Sequence, residues 1–330
     1  MKILFLSKPE KVQKYTKDKS LLKKYEIAYA EIDASDDEII KAGQGAEVIV
    51  ADAIAKVSGK VIEGIPTLKM IHSEGVAFNS FDVETATRNH VYVSNCKGMN
   101  ATAVAEQAIL LMLGVLKDVV KGDREVRAGN QIGVKTEYMV KGNLRELGEM
   151  TVGLAGFGDI SKATAKLLKA FGCEVLYYAS HRHSAEEEKE YGVEYAGLDD
   201  LLKRSDIVSL HMPVNDSTFH MFDDELINRM KDGAILINTS RGELCDSAAI
   251  IRGLESGKLS AIGFDTLEQE PVKTDNPLFK ADKEILDKML LTCHIGGITA
   301  ASFMRGYEMI WDDILKTDRG EKPGHVVNCW

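Results

Sequence analysis

The segment Thr151-Val152-Gly153-Leu154-Ala155-Gly156-Phe157-Gly158-Asp159-Ile160-Ser161 constrains this chain more than any other. Five residues of strand character run into a turn of the form Gly-x-Gly-x-x-Ser. A helical pattern follows, with Ile160, Ala163, Thr164, Leu167, Leu168 and Phe171 on one face and Gly172 just past its end. Gly156 permits the tight turn, and Gly158, beyond Phe157, lets the backbone approach a ligand. The unpaired amides of the helix N-terminus then face an anion such as a pyrophosphate. Ser161 stands where a third glycine is usual, and it is small enough for the helix to lie close to the strand. Glycines also mark ordinary βα turns. With strand, turn and helix in this order, the segment reads as a dinucleotide-binding fingerprint, with Gly156, Phe157 and Gly158 as candidate contacts.

The same alternation of short apolar runs and helical segments extends along the chain. Candidate strands are Lys2–Leu6, Glu47–Ala51, Leu68–His72, Val91–Val93, Thr151–Ala155, Glu174–Tyr178, Ile207–His211, Ala234–Asn238, Ser260–Asp265 and Met289–Thr292. Helices between most of them predict an α/β fold with doubly wound parallel sheets. A length of 330 residues suits two domains at roughly 150 residues each. No repeat or proline-rich linker marks a boundary, so two long helical patterns, Val104–Val120 and Thr299–Lys316, are the markers. If both cross between domains, one domain is discontinuous, residues 1–100 with 300–330, and the other comprises residues 101–299.

The charge balance, 41 basic against 51 acidic residues, gives a net charge of −10. Such a surface repels phosphate backbones and anionic lipid, so neither nucleic acid nor a membrane is an expected partner. No apolar run approaches the roughly 20 residues of a membrane span, and the short apolar start reads as a first strand and not as a leader. Five cysteines without Cys-x-x-Cys spacing suggest a reducing, cytoplasmic setting and no metal site.

The second strand of the fingerprint unit, Glu174–Tyr178, leads into Ala179-Ser180-His181-Arg182-His183. A carboxylate about 20 residues after the glycines would hold the ribose 2′-hydroxyl of NAD. Ala179 occupies that place, and Ser180, His181 and Arg182 could receive a 2′-phosphate. The expectation is therefore NADP in preference to NAD, against the plainer reading of a solvated basic turn.

Three further stretches end predicted strands, the edge at which open α/β sheets bind ligands. They are Asn238-Thr239-Ser240-Arg241-Gly242, Gly263-Phe264-Asp265-Thr266-Leu267-Glu268-Gln269-Glu270-Pro271 and Leu291-Thr292-Cys293-His294-Ile295-Gly296-Gly297. Together they offer a guanidinium, a carboxylate and an imidazole. Reduction of a 2-oxo acid needs an anchor for the substrate carboxylate, a proton donor and a group that tunes the donor.

With Ser73-Glu74-Gly75-Val76-Ala77 and Asn95-Cys96-Lys97-Gly98-Met99-Asn100 preceding them, these motifs make the chain, from about Leu68 to about Ser302, resemble the D-isomer-specific 2-hydroxyacid dehydrogenase family. The resemblance implies two doubly wound, Rossmann-like domains with a cleft between them, the nucleotide domain inserted into the substrate domain. It implies that Arg241 clamps the substrate carboxylate, that His294 donates the proton, and that Glu270 pairs with His294 and favours its charged form. Amides near Gly75, Val76 and Ala77 would hold the same carboxylate. Asp159 and Ile160 would line the pyrophosphate, Met212 and Pro213 the adenosine side, and Thr218, Thr239 and Gly296 further cofactor surface. Asp265 would face the nicotinamide. The family also suggests a homodimer, with the helix at Val104–Val120 and residues 121–149 contributing.

Taken singly, these groups have blander readings. An arginine after a strand is commonly a salt-bridge partner, and a histidine before two glycines a turn residue. Their order and spacing favour the catalytic set, while Glu268 is expected to be solvated. Ala77, Lys97 and Cys293 depart from the glycine, proline and proline frequent in the family. Lys97 and Met99 would then set the substrate: Lys97 could meet a second anionic group, and Met99 could floor an apolar pocket. A cofactor-sensing, corepressor-like protein on the same fold is the alternative, disfavoured by retention of a proton donor. A formate-dehydrogenase-like oxidation is disfavoured by Glu270, where that branch uses Gln.

Overall fold

The computed structural model describes all 330 residues as two compact units. The first comprises Met1–Asn100 and Ile298–Trp330, the second Ala101–Gly297.

In the first unit, β1 (Lys2–Leu6), β2 (Glu26–Ala30), β3 (Ala46–Ala51), β4 (Met70–Ser73) and β5 (Tyr92–Ser94) form a parallel sheet ordered β2-β1-β3-β4-β5. Its central strands are continuous apolar runs because helices cover both faces. Ile39, Val61 and Ile62 pack on one face, and Tyr307, Ile310, Trp311 and Ile314 of the helix Ala300–Asp318 on the other. The tail closes the β5 edge: Val327 donates its amide to Val93, and the Asn328 side chain bridges Val91 and Val93. An edge strand that would otherwise offer unpaired backbone groups is thereby covered.

In the second unit, β6 (Thr151–Ala155), β7 (Glu174–Tyr178), β8 (Glu194–Tyr195), β9 (Ile207–Leu210), β10 (Ala234–Asn238), β11 (Leu259–Phe264) and β12 (Met289–Leu291) are likewise parallel. Their order is β12-β11-β10-β9-β6-β7-β8. The direction of winding reverses between β6 and β9, which fixes the ligand edge at their carboxyl ends.

Four details differ from the sequence expectations. Strands β2 and β8 went unforeseen. The helical pattern at Val104–Val120 is two helices, Ala101–Leu116 and Val119–Arg127. Asp118 adopts a left-handed conformation between them (φ 49°), which turns Val119 and Val120 out to solvent and off the buried stripe. Finally, Ala101–Leu116 and Ala300–Asp318 each belong to one unit and begin just after the chain passes from one unit to the other, so neither helix crosses between them.

Candidate active site

Strands β10, β11 and β12 are neighbours, and the loop after each carries the polar groups. After β10, the fully buried Asn238 shapes the turn. Its amide nitrogen donates to the Arg241 carbonyl at 2.8 Å, and its oxygen accepts from the Ser240 amide at 2.9 Å. Ser240 Oγ donates to the Leu210 carbonyl of β9 at 2.7 Å, so the turn is tied to the next strand as well. The Arg241 side chain is exposed, bonds only its neighbour's carbonyl (2.7 Å) and has no carboxylate partner.

After β12, His294 Nδ1 lies 2.6 Å from Glu270 Oε2, while Glu270 Oε1 accepts from the Leu267 amide at 3.0 Å. A carboxylate only accepts, so Nδ1 carries a proton and Nε2 is left as the exchangeable face of the ring. His294 has φ 55°, and its conformation is held from both sides by Asp265. The Asp265 carbonyl accepts the His294 amide at 2.8 Å. The Asp265 carboxylate accepts from the amides of Ile295 (3.0 Å) and Gly296 (2.8 Å) and from Thr292 Oγ1 (2.5 Å), with Gln107 Nε2 at 3.4 Å. Asp265 is buried by this loop, and Gly296 is packed against it. The Asp265 carboxylate thus holds the histidine loop, a role the sequence reading did not foresee.

At the carboxyl end of β6, Gly156 has φ 103°, and a Cβ there would strike the carbonyl of His211 at the end of β9. A Cβ on Gly158 would meet open space. The helix Asp159–Phe171 begins at Gly158 without a side-chain cap, leaving the first-turn amides at Asp159 and Ile160 without one. Ser161 Oγ donates to the Gly156 carbonyl at 2.5 Å and locks the turn, a task glycine could not perform. Phe157 points inward onto Tyr177 (ring centroids 4.3 Å apart), so only its backbone is offered. Buried Thr239 Oγ1 has no partner within the protein. An uncapped helix start, open space at Gly158 and an orphan hydroxyl two strands away fit a dinucleotide.

Other expected contacts divide. Pro213 is exposed, whereas Met212 is 9% exposed and packs against Gly156. Thr218 Oγ1 donates to the Pro213 carbonyl at 2.8 Å and accepts from the Asn215 amide at 2.9 Å, so its hydroxyl closes a turn. The Thr218 hydroxyl is thus occupied within its own turn. Arg182 is engaged: Nε and Nη2 each donate to the Glu188 carboxylate at 2.8 Å. Ser180 and His181 remain exposed, 3.3 Å apart.

In the first unit, the loop after β4 offers two amides, not three. Gly75 donates to Ser73 Oγ at 3.1 Å, whereas the amides of Val76 and Ala77 have no partner within the protein. The loop is fastened to the one after β5 by Cys96 N to Gly75 O (2.9 Å) and Asn95 Nδ2 to Val76 O (2.7 Å). Lys97 lies on that second loop, exposed and unpaired. Met99 is 6% exposed and packs in the first unit's core with Gly306 and Cys96, leaving little of its side chain on the surface. Glu268, expected in solvent, pairs with His220 and Ser247 instead. Asn238, Ser73 and His220 were missed from the sequence, because nothing in a linear pattern signals a side chain that braces a turn.

Comparison with known proteins agrees with this arrangement. Residues 109–296 match the model of the "D-isomer specific 2-hydroxyacid dehydrogenase, NAD binding domain". The chain is 35% identical over 290 residues to a glyoxylate reductase of Korarchaeum cryptofilum, covering 88% of this chain and 85% of that one. It is 35% identical over 291 residues to a hydroxypyruvate reductase of Thermotoga maritima, covering 88% and 91%. Among solved structures, the D-mandelate dehydrogenase of Rhodotorula graminis superposes with a TM-score of 0.85 at 25% identity, covering 99% of this chain and 97% of that one. The chain belongs to the D-isomer specific 2-hydroxyacid dehydrogenase family, oxidoreductases that interconvert 2-oxo acids and D-2-hydroxy acids with a nicotinamide cofactor.

Proposed function

We propose that this chain reduces a small 2-oxo acid of the glyoxylate or hydroxypyruvate kind, with NADPH preferred over NADH. The observation that carries the reading is the Glu270–His294 couple at 2.6 Å, with Nε2 free and an unpaired Arg241 guanidinium at a neighbouring strand end. When bound, the reduced nicotinamide supplies the hydride. Arg241 binds the substrate carboxylate through its planar fork and draws charge toward the carbonyl oxygen. In the first unit, the amides of Val76 and Ala77 remain free to meet an anion. His294 Nε2 delivers its proton to the nascent alkoxide, and Glu270 stabilises the imidazolium before transfer. In the reverse direction Nε2 takes the proton from the hydroxyl.

The uncapped amides at Asp159 and Ile160, the bare backbone at Gly158 and the Thr239 hydroxyl hold the dinucleotide. NADPH is preferred because Ala179 presents no carboxylate to repel a 2′-phosphate, while Ser180 and His181 stand free to meet it. With Arg182 shared with Glu188, the discrimination is modest. Two chains associate through apolar side chains left in solvent on the helices Ala101–Leu116, Val119–Arg127 and Gln131–Lys141, namely Leu110, Val126, Ile132, Met139 and Val140. Free Cys293 and Cys329 at the surface suit a reducing cytoplasm.

The test is steady-state oxidation of NADPH and NADH with glyoxylate, hydroxypyruvate and 2-oxoisocaproate, in wild type and His294→Ala. The variant is expected to lose about 10²–10⁴-fold in kcat while still binding cofactor. Near-normal turnover in His294→Ala would remove the assignment.

A further inference from the structure

A second histidine–carboxylate pair stands beside the first and takes no part in the chemistry above. His220 Nε2 lies 2.7 Å from Glu268 Oε1, and Ser247 Oγ donates to Glu268 Oε2 at 2.7 Å. Carboxylate oxygens accept, so His220 Nε2 is the donor. The Glu268 side chain is only 18% exposed, which makes this a shielded contact and not a loose surface pair.

The pair joins the two halves of the catalytic set. On one side, the backbone of His220 and Phe222 is bonded to the segment just past Arg241: His220 N donates to Glu243 O at 2.8 Å and Phe222 N to Leu244 O at 2.9 Å. On the other side, Glu268 lies two residues before Glu270, and its neighbour Leu267 donates its amide to Glu270 Oε1 at 3.0 Å. Where the two segments meet there is no slack. A Cβ on Gly242 would fall inside the backbone of Leu267 and Glu268. A shift of either segment is therefore passed to the other, and the side-chain bond from His220 to Glu268 fixes their register.

We propose that His220 and Glu268 are positioning residues: together they set the separation of the Arg241 turn from the Glu270–His294 couple. The substrate's carboxylate and its carbonyl oxygen are then met at the same time. The inference rests on the reading of Arg241 and His294 given above. The pair's partners in the protein are each other and Ser247, so the effect proposed for it is geometric. Misplacement of a catalytic group by about 1 Å costs on the order of 10²-fold.

The experiment compares His220→Gln, His220→Asn and His220→Ala. The Gln amide nitrogen can reach the place of Nε2, whereas that of Asn stops near Nδ1. His220 has φ 49°, a conformation Asn tolerates better than Gln. The hydrogen-bond role and a purely backbone role thus predict opposite orders. Five quantities are read: kcat and KM with glyoxylate, the dissociation constants of oxamate (as a substrate mimic) and of NADPH, and the melting temperature. Expected are a 10–100-fold loss in kcat/KM and weaker oxamate binding for Ala and Asn, near-wild-type behaviour for Gln, and little change in cofactor binding. Asn outperforming Gln, or Ala within threefold of wild type, would overturn the proposal. So would losses that follow melting temperature and cofactor affinity. Turnover by wild type and its collapse in Arg241→Lys test the underlying reading separately. A wild type that neither turns over a 2-oxo acid nor binds oxamate would overturn both.

Discussion

Replacing Asp265 by Asn separates two accounts of this residue. Its carboxylate accepts from two backbone amides and one hydroxyl at 2.5–3.0 Å, all on the segment that carries His294. Asn keeps the shape but turns one acceptor into a donor, which then opposes the N–H of either Ile295 or Gly296. Hydrogen bonds to a charged group are worth roughly 1.5–3 kcal/mol each, and a buried donor left unpaired costs about 1–3 kcal/mol. Losing one such bond and weakening the others predicts about 2–4 kcal/mol, drawn from the 292–296 segment. The core of the second unit is untouched, so global unfolding in urea shifts by no more than that amount. The larger effect is on chemistry: once the loop relaxes, the His294 imidazole loses its setting, and kcat falls by about 10²-fold. NADPH affinity, followed by fluorescence titration, stays within a few-fold of wild type. A nicotinamide contact would give the reverse pattern, with cofactor binding lost first. Undiminished kcat, or a loss of affinity exceeding the loss of kcat, would refute the argument.

Three further outcomes are expected. Ala179→Asp places a carboxylate where a 2′-phosphate would sit, so the ratio of kcat/KM for NADPH over NADH should fall at least tenfold; an unchanged ratio would mean that this turn does not read the ribose. Lys97→Met should selectively reduce kcat/KM for 2-oxoglutarate relative to 2-oxopentanoate, which lacks the second carboxylate; equal effects on both would leave Lys97 a solvent-facing residue. Burial pushes the His211 imidazole down to about 4, below its ordinary 6.5, and its Nδ1 has no partner. The folded state then binds fewer protons than the unfolded one, so stability present above pH 6.5 is lost as pH falls toward 4. Part of the residue reaches solvent although Nδ1 does not, so the loss is at most about 3 kcal/mol. His211→Gln should flatten urea stability measured between pH 7 and pH 4.5, and an unaltered slope would dismiss His211 as its source.

The sheets were legible because their central strands are buried on both faces and appear as unbroken apolar runs. The two strands that escaped lie at sheet edges. Glu26–Ala30 reads Glu-Ile-Ala-Tyr-Ala with no fully buried position, and Glu194–Tyr195 is too short to carry a period. Candidate catalytic groups were legible for a related reason. Arg241, Glu270 and His294 come after runs ending at Asn238, Phe264 and Leu291, and a parallel sheet delivers the loops at the ends of such runs to one edge. Side-chain partnerships had no such signal. Ser73 takes the Gly75 amide, Asp265 holds a loop some 30 residues later in the chain, Met99 folds inward onto Gly306, and Glu268 finds His220 from 48 residues away. Each depends on residues brought together only by the finished fold.

The first unit is built from both ends of the chain, and this has a kinetic consequence. Its five strands are complete by Ser94, but the helix that buries Ile3, Phe5 and Met70 begins at Ala300, and the residues that cover β5 lie later still. On a ribosome, at about 5–20 residues per second, the 197 residues from Ala101 to Gly297 occupy roughly 10–40 s. During that interval the nascent sheet lacks this helix on one face and has an open edge, while the second unit, contiguous in sequence, can close without waiting. The second unit can therefore be complete before the first, although its synthesis begins later. The first segment to emerge is the one most exposed to chaperones and to mispairing with another nascent copy.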